Sequence, residues 1–145
     1  MNWYKIAQNQ NIDNYLSIKQ YWENKYPLNN EQSGDSVPNT ESISASLYEY
    51  EELPGIRNVS MSDFGGPQTV FYAADDFRKS KKLAEEIKSS GYVSPLIIVI
   101  DKESPYILEG AHRYVALHEL GHTSFPALVI LDTETLDKKE ENELV

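Results

Sequence analysis

Apolar side chains recur along this chain at three different spacings, and each spacing predicts an element. Over residues 12–26, Tyr15, Ile18 and Trp22 fall on one helical face, with Asp13 placed as a cap and Pro27 as a stop. This predicts an amphipathic helix on an amino-terminal appendage, 1–27. Residues 28–54 are rich in Asn, Ser, Glu, Gly and Pro, the composition of a solvated linker, until Tyr48, Tyr50 and Leu53 return apolar groups ahead of a Pro54-Gly55 turn. The main domain is expected at 55–132. Within it, Ile56, Val59, Met61 and Phe64 alternate imperfectly and predict a half-buried strand over 56–64, followed by a turn at Gly65, Gly66 and Pro67. Asp75 and Asp76 suit a helix start, Phe77, Leu83, Ala84 and Ile87 give it an inward stripe, and Gly91 stops it.

The run 95–100 is almost wholly apolar and β-branched, which predicts a central strand covered on both faces. A polar turn at 101–105, a short strand at 106–108, a helix over 111–120 ended by Gly121 and a last strand at 125–131 complete the domain. Residues 133–145 are dominated by charge and predict a solvated acidic tail or a frayed helix. The order strand, helix, strand, strand, helix, strand is that of an α/β (α+β) domain with a small mixed sheet whose helices cover one face.

Composition narrows the function classes. The chain has 145 residues, 40% of them hydrophobic, enough for one core. A net charge of -10 argues against wrapping duplex phosphate, and between residues 31 and 63 only Arg57 offsets seven acids, so DNA is an unlikely partner. The absence of cysteine removes disulfides, thiolate metal sites and cysteine nucleophiles. The longest apolar run, 96–100, is far below the ~20 residues of a membrane span, and the first residues carry no secretory core, so no membrane contact and a cytoplasmic location are expected.

Chemistry concentrates in one stretch, since all three histidines fall within 112–122. Leu108 ends a strand, Gly110 supplies a turn, and the helix opens at Ala111, so the amides of its first turn point at one place beyond the strand. His112 and Arg113 can add charged donors to an anion there. Glu109 can hold a cation or accept a proton, with Asp63, Asp75 and Asp76 as candidate second carboxylates. The plainer alternative is a surface ion pair of Arg113 with Glu109 and a turn capped by His112.

The string GAHRYVALHELGHTSFPALVI resembles the signature of the ParB/sulfiredoxin superfamily: a glycine, a variable residue, His or Arg, then Arg, a short helix closing on Leu-Gly, and a strand opening with proline. The resemblance spans about 55–132. It implies a nucleotide (ATP or CTP, with Mg2+) whose phosphates meet Gly110, Ala111, His112 and Arg113, helped by Lys79 and then Lys82 from the preceding helix. It also implies candidate catalytic roles for Glu109 and His112 in phosphoryl transfer or nucleotide hydrolysis. Sulfiredoxins carry their catalytic cysteine where this chain has Ala111, so sulfinic acid reduction through that thiol is excluded. Lys79 and Lys82 equally suit an ordinary solvated helix face. A second expectation is a non-catalytic, nucleotide-gated or DNA-associated interaction module.

A competing motif lies in the same letters. His118, Glu119 and His122 spell HExxH, in which two histidines a turn apart hold zinc and the glutamate activates water. That chemistry requires a helix running through Gly121 and a third ligand, for which Glu140, Glu141 and Glu143 are the candidates. Gly121 reads instead as a helix end. Trp3, Tyr4, Tyr15, Tyr21 and Trp22 are expected to pack the amino-terminal helix onto the domain, or onto a protein partner, rather than to stack bases.

Overall fold

The computed structural model describes residues 15–30, 40–65 and 74–137. Its elements are α1 (Tyr15–Lys25), α2 (Glu41–Ser46), β1 (Glu51–Glu52), β2 (Arg57–Ser60) with a 3-10 turn at Met61–Asp63, α3 (Ala74–Ser90), β3 (Leu96–Ile100), β4 (Pro105–Glu109), α4 (Ala111–Glu119), β5 (Ser124–Leu131) and α5 (Thr133–Asp137). The fold class is α+β, a small mixed sheet with helices packed on it. Strand order is β1-β5-β3-β4, with β2 also pairing β5. β3 runs parallel to β5 and antiparallel to β4, so the apolar run lies inside the sheet, and Leu96 to Ile100 are all 0% exposed.

Alternation along the strands divides the core in two. Leu96, Ile98 and Ile100 face α1, α3 and α4, meeting Trp22, Ala84, Ile87, Val115 and Leu117. Ile97, Val99, Leu128 and Ile130 face the other way and are covered by Ile43 and Leu47. The expectation that helices cover a single face is thereby corrected, because α2 closes the second.

The stretch 28–54, read as a polar linker, contributes structure at both ends. Leu28 bridges Arg57, and the amides of Asn29 and Asn58 bond to the carbonyls of Ile56 and Pro27 at 2.8 Å each. Glu51 and Glu52 pair with Leu131 and Ile130, and Ile43 and Leu53 are fully buried. Window composition hid this because one or two apolar anchors suffice to dock a short element. Nor is α1 an appendage, since Ile18, Trp22 and Tyr26 are at most 1% exposed within the main core. Of the aromatic residues along this stretch, Trp22 and Tyr26 are buried in the chain's own core and Tyr21 packs against it. The expected places of Asp13, Trp3, Tyr4, Gly66 and Pro67 lie outside the described residues.

Two further positions depart from their expected direction. Phe77, expected inward, is 42% exposed, while Ser80 takes the buried place, its hydroxyl donating to the Asp76 carbonyl at 2.9 Å. Arg57 is 6% exposed on β2, which is shorter than the expected strand because the chain turns at Met61. Its Nε donates to the Pro54 carbonyl at 3.0 Å, and its Nη1 to the carbonyls of Glu23 and Tyr26 at 3.3 and 3.2 Å. A cation at carbonyls closing α1 satisfies acceptors the helix cannot satisfy itself. Arg57→Met keeps the bulk and removes the donors, so it is expected to cost about 2 kcal/mol in urea denaturation. An unchanged midpoint would refute this capping role.

Only the stretch 138–145 of the acidic tail lies outside the described residues. Before it, α5 buries Leu136 to 1% exposure, so 133–137 is a docked turn of helix rather than solvated tail.

Candidate functional site

The opening of α4 is built by a backbone that only glycine accommodates. Gly110 has φ +104, and a Cβ there would stand 2.5 Å from Leu96 Cγ on the adjoining strand. The first helical bond runs from the Tyr114 amide to the Gly110 carbonyl at 2.9 Å, and no side chain caps the opening. The amides of Ala111 and Arg113 therefore precede the helical ladder and face outward from its first turn.

His112 Nε2 stands 3.0 Å from Asp76 Oδ1, tying the opening of α4 to the first turns of α3. The carboxylate sets the ring's orientation. Arg113 Nη1 donates to the carbonyls of Ser94 and Pro95 at 2.9 and 2.7 Å, which fastens the segment ahead of β3 to α4. Burial lowers the guanidinium pKa from its ordinary value, and the nearby Glu109 carboxylate and Tyr92 oppose that shift. Arg113 is thus a loop fastener as well as a positive charge beside the opening.

Glu109 points elsewhere. The β3–β4 register passes from Ile98↔Ile107 to Ile97↔Glu109, so Leu108 is an extra residue in β4. Glu109 shares the face of Ile97, the side covered by α2, where Ser42 Oγ donates to its Oε2 at 3.0 Å. Its carboxylate and the His112–Asp76 pair consequently belong to opposite layers of the sheet. Asp63 is engaged by Tyr26, whose hydroxyl donates at 2.6 Å, and by Lys25 Nζ at 3.5 Å. This carboxylate and burial together raise the Tyr26 pKa, burial being the larger cause. Lys79 and Lys82 are exposed on α3, and no bond among the described residues joins them to the α4 opening. The Asp75 side chain lies outside what is described.

The HExxH histidines do not occupy successive turns of one helix. α4 ends at Glu119, the Gly121 amide bonds the His118 carbonyl at 3.1 Å, and the His122 amide bonds the Leu117 carbonyl at 3.0 Å. With φ +83 at Gly121 this is a Schellman closure, which puts His122 past the helix end. Among the described residues no group of three or more His, Cys, Asp or Glu could hold a metal ion. Glu140, Glu141 and Glu143 lie outside them. The arrangement that HExxH chemistry requires is not assembled on α4.

Ser42, Leu96 and the carbonyls of Ser94 and Pro95 are parts of this site that sequence reasoning missed. No local pattern marks them, since each acts through a partner 14 to 67 positions away.

The structure is similar to the crystal structure of sulfiredoxin from Arabidopsis thaliana, at 24% identity and a TM-score of 0.44, over 52% of this chain and 84% of that one. No protein-family model matches the chain, and a search of curated proteins finds no match. Among the described residues no helix is long and apolar enough to cross a membrane.

Proposed function

We propose that this chain binds the phosphate groups of a nucleoside triphosphate, ATP or CTP, at the opening of α4. The observation that carries the reading is the uncapped first turn behind Gly110, whose left-handed backbone is locked against Leu96 while the amides of Ala111 and Arg113 face outward. His112, oriented by Asp76, and the charge of Arg113 flank the same turn. The motif from Gly110 to Arg113 supports the same ligand class. Lys79 and Lys82, exposed on the neighbouring helix, would add long flexible cations to such a ligand.

Magnesium would enter this site with the nucleotide, held mainly by phosphate oxygens and water with Asp76 as the carboxylate beside the α4 opening, since Glu109 lies on the opposite layer of the sheet. The carboxylates of Glu109 and Asp76 already hold Ser42 and His112. That engagement favours binding without turnover over phosphoryl transfer, and so favours a nucleotide-responsive module over an enzyme using Glu109 and His112 as catalytic groups. A net charge of -10 keeps duplex DNA the least suited partner.

A thermal-shift series with ATP, CTP, GTP and UTP, each with and without magnesium, tests the reading. Ligand at a hundred times its Kd adds about 2.7 kcal/mol, which raises the melting temperature of a domain this size by roughly 8 °C. Absence of any shift across the series would overturn nucleotide binding. Release of phosphate or diphosphate under the same conditions would restore the enzymatic reading.

A further inference from the structure

A groove of ≈ 510 Å³ begins at Ala111, the first residue of α4, and runs between β4 and the 3-10 turn. Its apolar walls are Phe64 and Ile107, and its polar rim carries Asp63 and Ser104. Ile107 pairs with Ile98 and so lies on the sheet face that α3 and α4 cover. Phe64 is held by the rings of Tyr114 and Phe125, with centroids 5.9 and 5.6 Å away. Such walls suit a flat apolar ring, and the volume is that of a small-molecule pocket.

The charge on the rim narrows the ligand further. Asp63 is fixed by Tyr26 and Lys25. A fixed carboxylate repels phosphate and accepts N-H donors. The ≈ 470 Å³ groove between α3 and α4 carries Arg78 and Lys81 beside Glu119, and it meets α4 at Val115, His118 and Glu119, beyond the opening turn. The ≈ 560 Å³ groove with His118 and His122 includes the far end of α4.

We infer that the groove between Phe64 and Ile107 seats the nucleoside, its base bearing an exocyclic amino group directed to Asp63, while the phosphates occupy the α4 opening. This rests on the phosphate-binding reading above. It orders ligands by base: adenine and cytosine offer the amino donor, and uracil lacks it.

The test compares ATP, CTP, UTP and inorganic tripolyphosphate by calorimetry on the full chain at fixed magnesium. ATP or CTP should bind roughly tenfold more tightly than tripolyphosphate, the order of one stacked base, with UTP between them. Ser104 is exposed at the groove rim, so Ser104→Trp obstructs it without entering the core, and it should remove the nucleotide advantage while leaving tripolyphosphate binding unchanged. Asp63→Asn should erase the preference over UTP. Tyr92→Ala, on an exposed ring near Arg113, should change neither. Equal affinity for all four ligands would overturn the nucleoside site and leave phosphate binding intact. Loss of preference in Tyr92→Ala rather than Ser104→Trp would also overturn it, by moving the base to the opposite flank. Binding of none of the four would overturn the phosphate reading and the nucleoside site with it.

Discussion

Trp22→Ala should destabilise the whole chain by about 3–5 kcal/mol, the range for truncating a buried large aromatic. The indole is 1% exposed, with the Tyr21 ring edge-on at 5.1 Å and the Tyr26 ring tilted at 5.4 Å. Lys25 Nζ lies 5.2 Å from its centroid and adds a cation over the ring. The same cluster contains Val59, Phe125 and Val129, so the cavity would open under the sheet rather than at a peripheral contact. Urea denaturation followed by far-ultraviolet dichroism provides the measurement. One cooperative transition at a much lower midpoint is expected. A midpoint moved by less than that of an ordinary surface substitution, about 0.5 kcal/mol, would mean that α1 is separable from the core after all.

The second large effect belongs to Gly110→Ala. Two costs add there: the new methyl meets Leu96 at 2.5 Å from Cγ and 3.1 Å from Cβ, and the backbone sits at φ +104. Leu96 is 0% exposed and cannot swing aside into solvent. Strain of ~1–3 kcal/mol and overpacking of similar size give an expected loss of about 2–6 kcal/mol. Gly91→Ala is the matched control, because its φ is +70 and an added Cβ meets nothing within 4 Å. That variant should lose only about 1 kcal/mol. Equal losses in the two proteins would show that backbone conformation alone, and not the approach of Leu96, holds the α4 opening.

Elements whose apolar pattern is locally dense were legible without coordinates. The run that forms β3 has no polar position to place outward, so it could only be central, and Leu83, Ala84 and Ile87 marked the inward stripe of α3. The end of α4 was legible for a conformational reason, since Gly121 is where a left-handed closure comes without steric cost. Polar windows with sparse anchors were not legible. Around α2 and β1, Ile43 and Leu53 carry the packing, and a composition average cannot distinguish two docked residues from two incidental ones. Arg57 was hidden differently: its inward direction is stable because carbonyls from α1 and Pro54 meet it, and their arrival depends on the path of other segments.

The candidate site divides along the same line. Gly110, Ala111, His112 and Arg113 were readable as one cluster because a strand end, a glycine and a helix start are adjacent in the chain. Tertiary structure decided what each does. Asp76 reaches His112 from another helix, and Arg113 spends Nη1 on the segment before β3. The extra residue at Leu108 turns Glu109 toward Ser42 on the far layer. Periodicity and turn chemistry act over a few residues, so the amino-acid order determined the central strand, helices α3 and α4 and the glycine turn that opens α4. Register across a sheet and the meeting of side chains from distant elements depend on how layers close, because a single bulge redirects the side chains beyond it. The second covered face, the buried arginine and the partners of every charged group at the site were therefore decided only in the folded molecule.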